Sequence, residues 1–159
     1  FANDKRFEIR YIGSGADLLR EHCRKHEIEN VYLHDRFLPE EILSFYADTD
    51  MILNLYGNGT PLLDYSLSNK LYYAAQLGMP ILVCPNTYMQ EIAVGNGFGF
   101  TFDLEDKTMG DKLYDYYQSI DWELFYINCD MFLKEVYEEE KEFAEMVKQF
   151  VNKISNEVD

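Results

Sequence analysis

Residues 66–84 read Ser66-Leu67-Ser68-Asn69-Lys70, then Leu71 to Leu77, then Gly78-Met79-Pro80-Ile81-Leu82-Val83-Cys84. Hydroxyl and amide side chains stand before a run with helical spacing, which predicts a helix over about 68–77 with its start capped by Ser68. Gly78 and Pro80 end that helix and hand the chain to an apolar strand over 80–84. A helix start leaves backbone N–H groups unpaired and carries a partial positive charge. Lys70 adds a full charge in the first turn, so the pattern predicts a seat for a diphosphate.

Working outward, the same alternation of strand and helix recurs. Residues 6–13 end as a strand in Gly13-Ser14-Gly15, and Leu18, Leu19, Cys23 and Ile28 follow at helical spacing. Residues 30–35 make a second strand, and Pro39-Glu40-Glu41 opens a short helix to Tyr46 with acids on the positive end of its dipole. Met51-Ile52-Leu53-Asn54-Leu55 predicts a strand buried on both faces. Residues 57–65 read as a loop, 89–94 as a helix and 97–102 as a fifth strand. From Lys107 the pattern is helical, ending in an apolar stripe of Phe143, Met146, Val147, Phe150, Val151 and Ile154 that predicts a tail packed across one side of the sheet. Strands alternating with short helices predict an α/β domain, a doubly wound parallel sheet of about five strands with a helical C-terminal tail. Such sheets bind ligands beyond the carboxyl ends of their strands. Segments 13–15, 35–38, 56–70 and 85–91 should line that edge, and the diphosphate seat falls among them.

Composition narrows the ligand. The 159 residues suit one domain over 1–159, which is short for a complete two-substrate enzyme. With 47% hydrophobic and 16% aromatic residues the chain is expected to fold. A net charge of −15 argues against nucleic acid and against an anionic membrane surface as partners. A small anion remains compatible, because one helix terminus and one lysine can hold it locally. Cys23, Cys84 and Cys129 are odd in number and far apart, which predicts free thiols and a cytoplasmic setting. His22 and His26 share a helix face with no second cluster to complete a metal site, so no metal is expected.

These residues also carry a family resemblance. Ser66-x-Ser68-Asn69-Lys70-Leu71-Tyr72 followed by Leu77-Gly78-Met79-Pro80-Ile81-Leu82-Val83 resembles the donor-site helix of GT-B fold glycosyltransferases of the capsular polysaccharide type. Tyr11-Ile12-Gly13-Ser14-Gly15 resembles that family's Gly-x-Gly turn. Asn30-Val31-Tyr32-Leu33, with Phe37-Leu38-Pro39-Glu40-Glu41-Ile42, resembles its next conserved-type segment, and Ala47-Asp48-Thr49-Asp50 its entry to the following strand. Glu91-Ile92 and Gly97-Phe98-Gly99 complete the order, so the resemblance spans roughly residues 6–103 in register.

The resemblance implies a Rossmann-like domain that binds a nucleotide-diphosphate sugar as substrate, with no cofactor, for transfer to a saccharide or lipid-linked acceptor in bacterial surface polysaccharide synthesis. It implies a partner acceptor domain, through which peripheral membrane association would come. Ser66, Ser68, Asn69 and Lys70 would meet the diphosphate, with Gly13, Ser14 and Gly15 at the neighbouring turn. Arg36 and Phe37 would meet the base. Tyr56 and Gly57 would lie over the sugar, and Thr87, Tyr88 and Glu91 near the ribose or phosphate. Tyr65 and Tyr73 stand where the family carries two glutamates; Tyr73 remains an expected donor contact but can make only one such bond, and Asp64 or Glu91 could substitute in the ribose grip, since a carboxylate can accept both hydrogen bonds of a vicinal diol. Two other readings stay open: a non-catalytic binding module of the same fold, which Tyr73 favours, and an unrelated doubly wound domain holding a nucleotide or S-adenosylmethionine at Gly13-Ser14-Gly15. No catalytic residue is assigned.

Overall fold

The computed structural model describes residues 1–157, with side chains described through Lys153. Strands β1 (Ile9–Ile12) and β2 (Val31–His34) pair in parallel, Ile9 opposite Val31 and Ile12 opposite His34, with α1 (Ala16–Lys25) as the crossover. A 3-10 turn (Pro39–Glu41) and α2 (Ile42–Tyr46) lead to β3 (Ile52–Asn54). Then follow α3 (Pro61–Tyr65), α4 (Asn69–Leu77), β4 (Ile81–Val83), α5 (Tyr88–Gly95) and β5 (Gly99–Thr101). The last three strands form a second parallel sheet in the order β3-β4-β5, and α6 (Met109–Ser119) and α7 (Trp122–Glu157) close the chain.

The chain is thus α/β with parallel strands, but the strands divide into sheets of two and three, and neither reaches the expected five. No backbone ladder joins β1 to β3. Side chains join the two parts instead. Arg10 Nη1 lies 3.7 Å from Asp48 Oδ2, and Phe1 and Phe7 pack into the apolar cluster that also holds Met51, Leu55, Leu82 and Phe102.

The core lies around β4. Ile81, Leu82 and Val83 are all buried, as a strand covered on both faces requires. Over it, Leu71, Ala74 and Ala75 form the buried stripe of α4 at helical spacing. β3 departs from its expected burial on both faces. Ile52 and Asn54 are buried, whereas Leu53, on the opposite face of the strand, remains 36% exposed. The expected loop over 57–65 contains α3, since Thr60 caps a helix start with Pro61 at its first position.

Two glycines set how closely these layers approach. Gly78 ends α4 in the left-handed region (φ 62°), with Gly78 N–H bonded to the Ala75 carbonyl and Met79 N–H to the Ala74 carbonyl. Gly99 lets α5 lie against β5, since a Cβ there would stand 2.5 Å from Ala93 Cβ and 2.7 Å from its carbonyl carbon.

In α7, Phe125, Cys129 and Phe132 bury against the core, with Tyr72 and Phe98 ringed around Phe132. The later stripe does not pack as expected: Phe143, Met146, Val147, Phe150 and Val151 are exposed. At 36 residues the helix runs about 54 Å and outreaches the layer it packs on. The side chain of Ile154 lies outside the described residues. Cys84 and Cys129 are buried free thiols, and Cys23 is half-buried. Among the described residues no helix is long and apolar enough to cross a membrane.

Candidate functional site

The carboxyl ends of β3 and β4 are where chemistry-bearing residues gather. After β3 the chain rises through Tyr56 and a loop strapped to the exit of β4. Gly57 N–H donates to Cys84 Sγ at 3.3 Å, and Asn58 Nδ2 donates to the Pro85 carbonyl at 2.7 Å. Asp64 Oδ1 then accepts from Gly59 N–H at 2.7 Å, which folds α3 back beneath its own loop. Ser66 Oγ donates to the Leu62 carbonyl at the end of α3.

Two helix starts meet here. Ser68 caps α4 by accepting from Lys70 N–H at 3.3 Å, while its own N–H donates to Met89 Sδ at 3.4 Å in α5. Thr87 caps α5: its hydroxyl accepts from Gln90 N–H at 3.1 Å and donates to the Cys84 carbonyl at 2.9 Å. The Gln90 side chain holds both sides, accepting from Asn86 N–H at 2.7 Å and donating to Thr101 Oγ1 at 2.9 Å. Asn86 sits at φ 58°, the left-handed position that a Pro85-Asn86-Thr87 turn requires.

Between α3 and the start of α5 lies an open cleft of about 390 Å³, lined by Asp64, Tyr65, Asn86, Thr87, Tyr88, Gln90 and Glu91. Two carboxylates, a phenol pair and two carboxamides in one cleft suit a ligand rich in hydroxyls, since each offers hydrogen bonds of the kind a diol exchanges. Asn86 and Gln90 lie in the expected segment 85–91 but carry no individual assignment from the sequence. The turn chemistry of Pro85-Asn86-Thr87 was the signal that could have found them.

Lys70 lies elsewhere. Its Nζ donates to the Leu53 carbonyl at 2.8 Å and stands 5.1 Å over the Tyr56 ring, a cation–π contact. The ammonium is thus held along β3 and does not line the cleft. Asn69, beside it, is exposed. Tyr73 also turns from the cleft, packing against the core with its ring 5.9 Å from that of Tyr46. Burial, then proximity to Tyr73, pushes the Tyr46 phenol pKa up.

The remaining expected residues sit at the carboxyl ends of the other sheet. Gly13, Ser14 and Gly15 follow β1, where Tyr11 Oη donates to the Ser14 carbonyl at 2.7 Å. Arg36 and Phe37 follow β2, with the Phe37 ring 5.7 Å from Phe45. Segments 56–70 and 85–91 therefore touch one another, whereas 13–15 and 36–37 follow the strands of the other sheet. The rings of His22 and His26 lie 4.4 Å apart and tilted by 39°, and no group of three or more metal-binding side chains is placed together among the described residues.

No family model matches the chain, nor does any curated protein or solved structure.

Proposed function

We propose that this chain is the donor-binding domain of a GT-B type glycosyltransferase, holding a nucleotide-diphosphate sugar for transfer to a saccharide or lipid-linked acceptor. In this reading the two sheets are parts of one doubly wound sheet, and an acceptor domain and a cytoplasmic setting complete the enzyme. The observation that carries it is the meeting of the α4 and α5 starts beside a polar cleft at the carboxyl ends of β3 and β4. The diphosphate would lie at the positive end of the α4 dipole beside Asn69, and the ribose or sugar hydroxyls against Asp64 and Glu91. Departure of the diphosphate is then eased by the helix dipole and, once its ammonium leaves the Leu53 carbonyl, by the Lys70 charge, with no metal invoked.

A non-catalytic module of the same fold is the second reading, and Tyr73 favours it. It stands where the family grips the ribose, yet packs on Tyr46 instead of facing the cleft. Calorimetric titration with UDP, GDP, their monophosphates and S-adenosylmethionine tests both readings. Diphosphates should bind in preference to monophosphates. Binding of S-adenosylmethionine with no binding of either diphosphate overturns both and points to Gly13-Ser14-Gly15.

A further inference from the structure

Among the described residues one buried side-chain oxygen or nitrogen goes without a hydrogen-bond partner, and it is Asn54 Oδ1. Asn54 is the last residue of β3 and is 5% exposed. An amide oxygen shut away from water with nothing donating to it costs free energy that an apolar side chain would not, so folded chains seldom keep one. Asparagine is also a poor strand former. Stability alone therefore gives no reason for an amide at this position.

Its place in the fold says what it faces. Side chains alternate along a strand, so Asn54 shares its face with Ile52, which clusters with Leu71 of α4 and Met89 of α5. α4 and α5 run back along the parallel strands they connect, which puts their starts at the carboxyl ends of β3 and β4. Asn54, opposite Val83 in the last pair of that ladder, lies at this same end.

The backbone around it is held by poor acceptors. Gly57 N–H and Ser68 N–H each donate to sulfur, to Cys84 Sγ at 3.3 Å and to Met89 Sδ at 3.4 Å. A thiol or thioether accepts weakly, so both N–H groups are released at little cost. The strap through Gly57 crosses just beyond the Asn54–Val83 pair, and its second tie is the exposed Asn58 side chain on the Pro85 carbonyl. Lifting the strap breaks one bond to sulfur and one bond at the surface, and uncovers the strand end at Asn54.

We propose that Asn54 is a ligand-contacting residue: when the strap lifts, its carboxamide oxygen accepts a hydrogen bond from a hydroxyl of the bound nucleotide-diphosphate sugar. This deepens the donor-binding reading and rests on it. No group of the chain holds the acceptor, so the hydroxyl has no bond to displace there. A ribose hydroxyl and a hydroxyl of the transferred sugar offer the same chemistry, and the experiment separates them.

The test compares the whole chain with Asn54→Val and Asn54→Ala, one slightly larger than asparagine and one smaller. Without ligand, the better of the two should raise the urea midpoint by about 0.5 M, because an unpaired acceptor is gone. A lower midpoint in both overturns the proposal, since the amide is then satisfied inside the fold, by a buried water or otherwise. Calorimetry with UDP and UDP-glucose, and with GDP and GDP-mannose as a second pair, should show binding weakened about tenfold in both variants. A loss for the diphosphate and the sugar nucleotide alike assigns the ribose, and a loss for the sugar nucleotide alone assigns the sugar. Unchanged affinity in the variants, with the unaltered chain binding, overturns the proposal and leaves the donor-binding reading standing. No binding by the unaltered chain overturns that reading and the proposal with it. A second readout needs no variant: the carbon-13 signal of Asn54 Cγ should shift on saturation with the sugar nucleotide that binds. A signal that stays in place at saturation overturns the proposal as well.

Discussion

Gly78 and Tyr126 are in contact across two helices: a Cβ built on Gly78 would stand 2.7 Å from Tyr126 Cε1 and 2.9 Å from Cδ1. The left-handed end of α4 thus lies under a ring of α7, and the helix that starts at the candidate seat is fixed at its far end by the tail. Gly78→Ala carries both backbone strain and this overlap, so we expect a loss of about 1–3 kcal/mol. In a double-mutant cycle with Tyr126→Leu the cost should fall below the sum of the single changes. Strict additivity in urea unfolding would remove the contact from the account.

Replacing Lys70 with alanine should weaken UDP or GDP by about 1–3 kcal/mol, the range for hydrogen bonds to a charged group. The effect on the monophosphates should be smaller, since the second phosphate is what meets the α4 start. Calorimetry on the two pairs decides it, and equal losses for mono- and diphosphate would detach Lys70 from the diphosphate.

Ionic strength offers an independent check. A chain of net charge −15 repels an anionic ligand at long range, while the attraction acts at short range where salt screens least. Diphosphate affinity should therefore change little, or rise slightly, from low to physiological salt. A steep fall, as a polyanion binder shows, would mean that exposed cations outside the Ser66 to Lys70 segment hold the ligand.

Alkaline pH should unfold the protein by a nameable route. Burial, with Asp130 as a lesser cause, pushes the Cys129 thiol up to about 11, and burial, then Cys129, pushes the Tyr116 phenol up to about 12. The unfolded chain releases these protons near their ordinary values of 9 and 10, which the folded chain still keeps. Their stabilisation is complete below pH 9 and is lost as pH rises towards 12. The urea midpoint should fall across that window, and Cys129→Ala should flatten its lower part. A midpoint constant to pH 11 would show that neither group is shifted.

Local chemistry was legible and long-range pairing was not. The Ser68 cap and the Gly78 stop follow from rules that act within a turn or two, and the helix between them runs over Asn69–Leu77. α3 is hidden in the sequence because two glycines and a proline read together as loop, although Thr60-Pro61 is a helix-start signal. Where Tyr73 points depends on Tyr46, 27 positions earlier, and where Lys70 points depends on an unpaired carbonyl of β3. Neither relation leaves a mark in the sequence near the residue concerned. The exposed face of α7 is a similar case, since periodicity reveals an apolar stripe but not whether the fold extends beneath it.

The close approach at Gly99 has a mechanical consequence for the cleft. α5 cannot slide on β5 without driving Ala93 into the strand, so the wall bearing Thr87, Tyr88, Gln90 and Glu91 is stiff. The opposite wall is α3, five residues with none buried, and Leu62 and Tyr65 are each 76% exposed. Whatever enters the cleft meets one jaw that is set and one that yields, and adaptation to ligands of different size falls on α3.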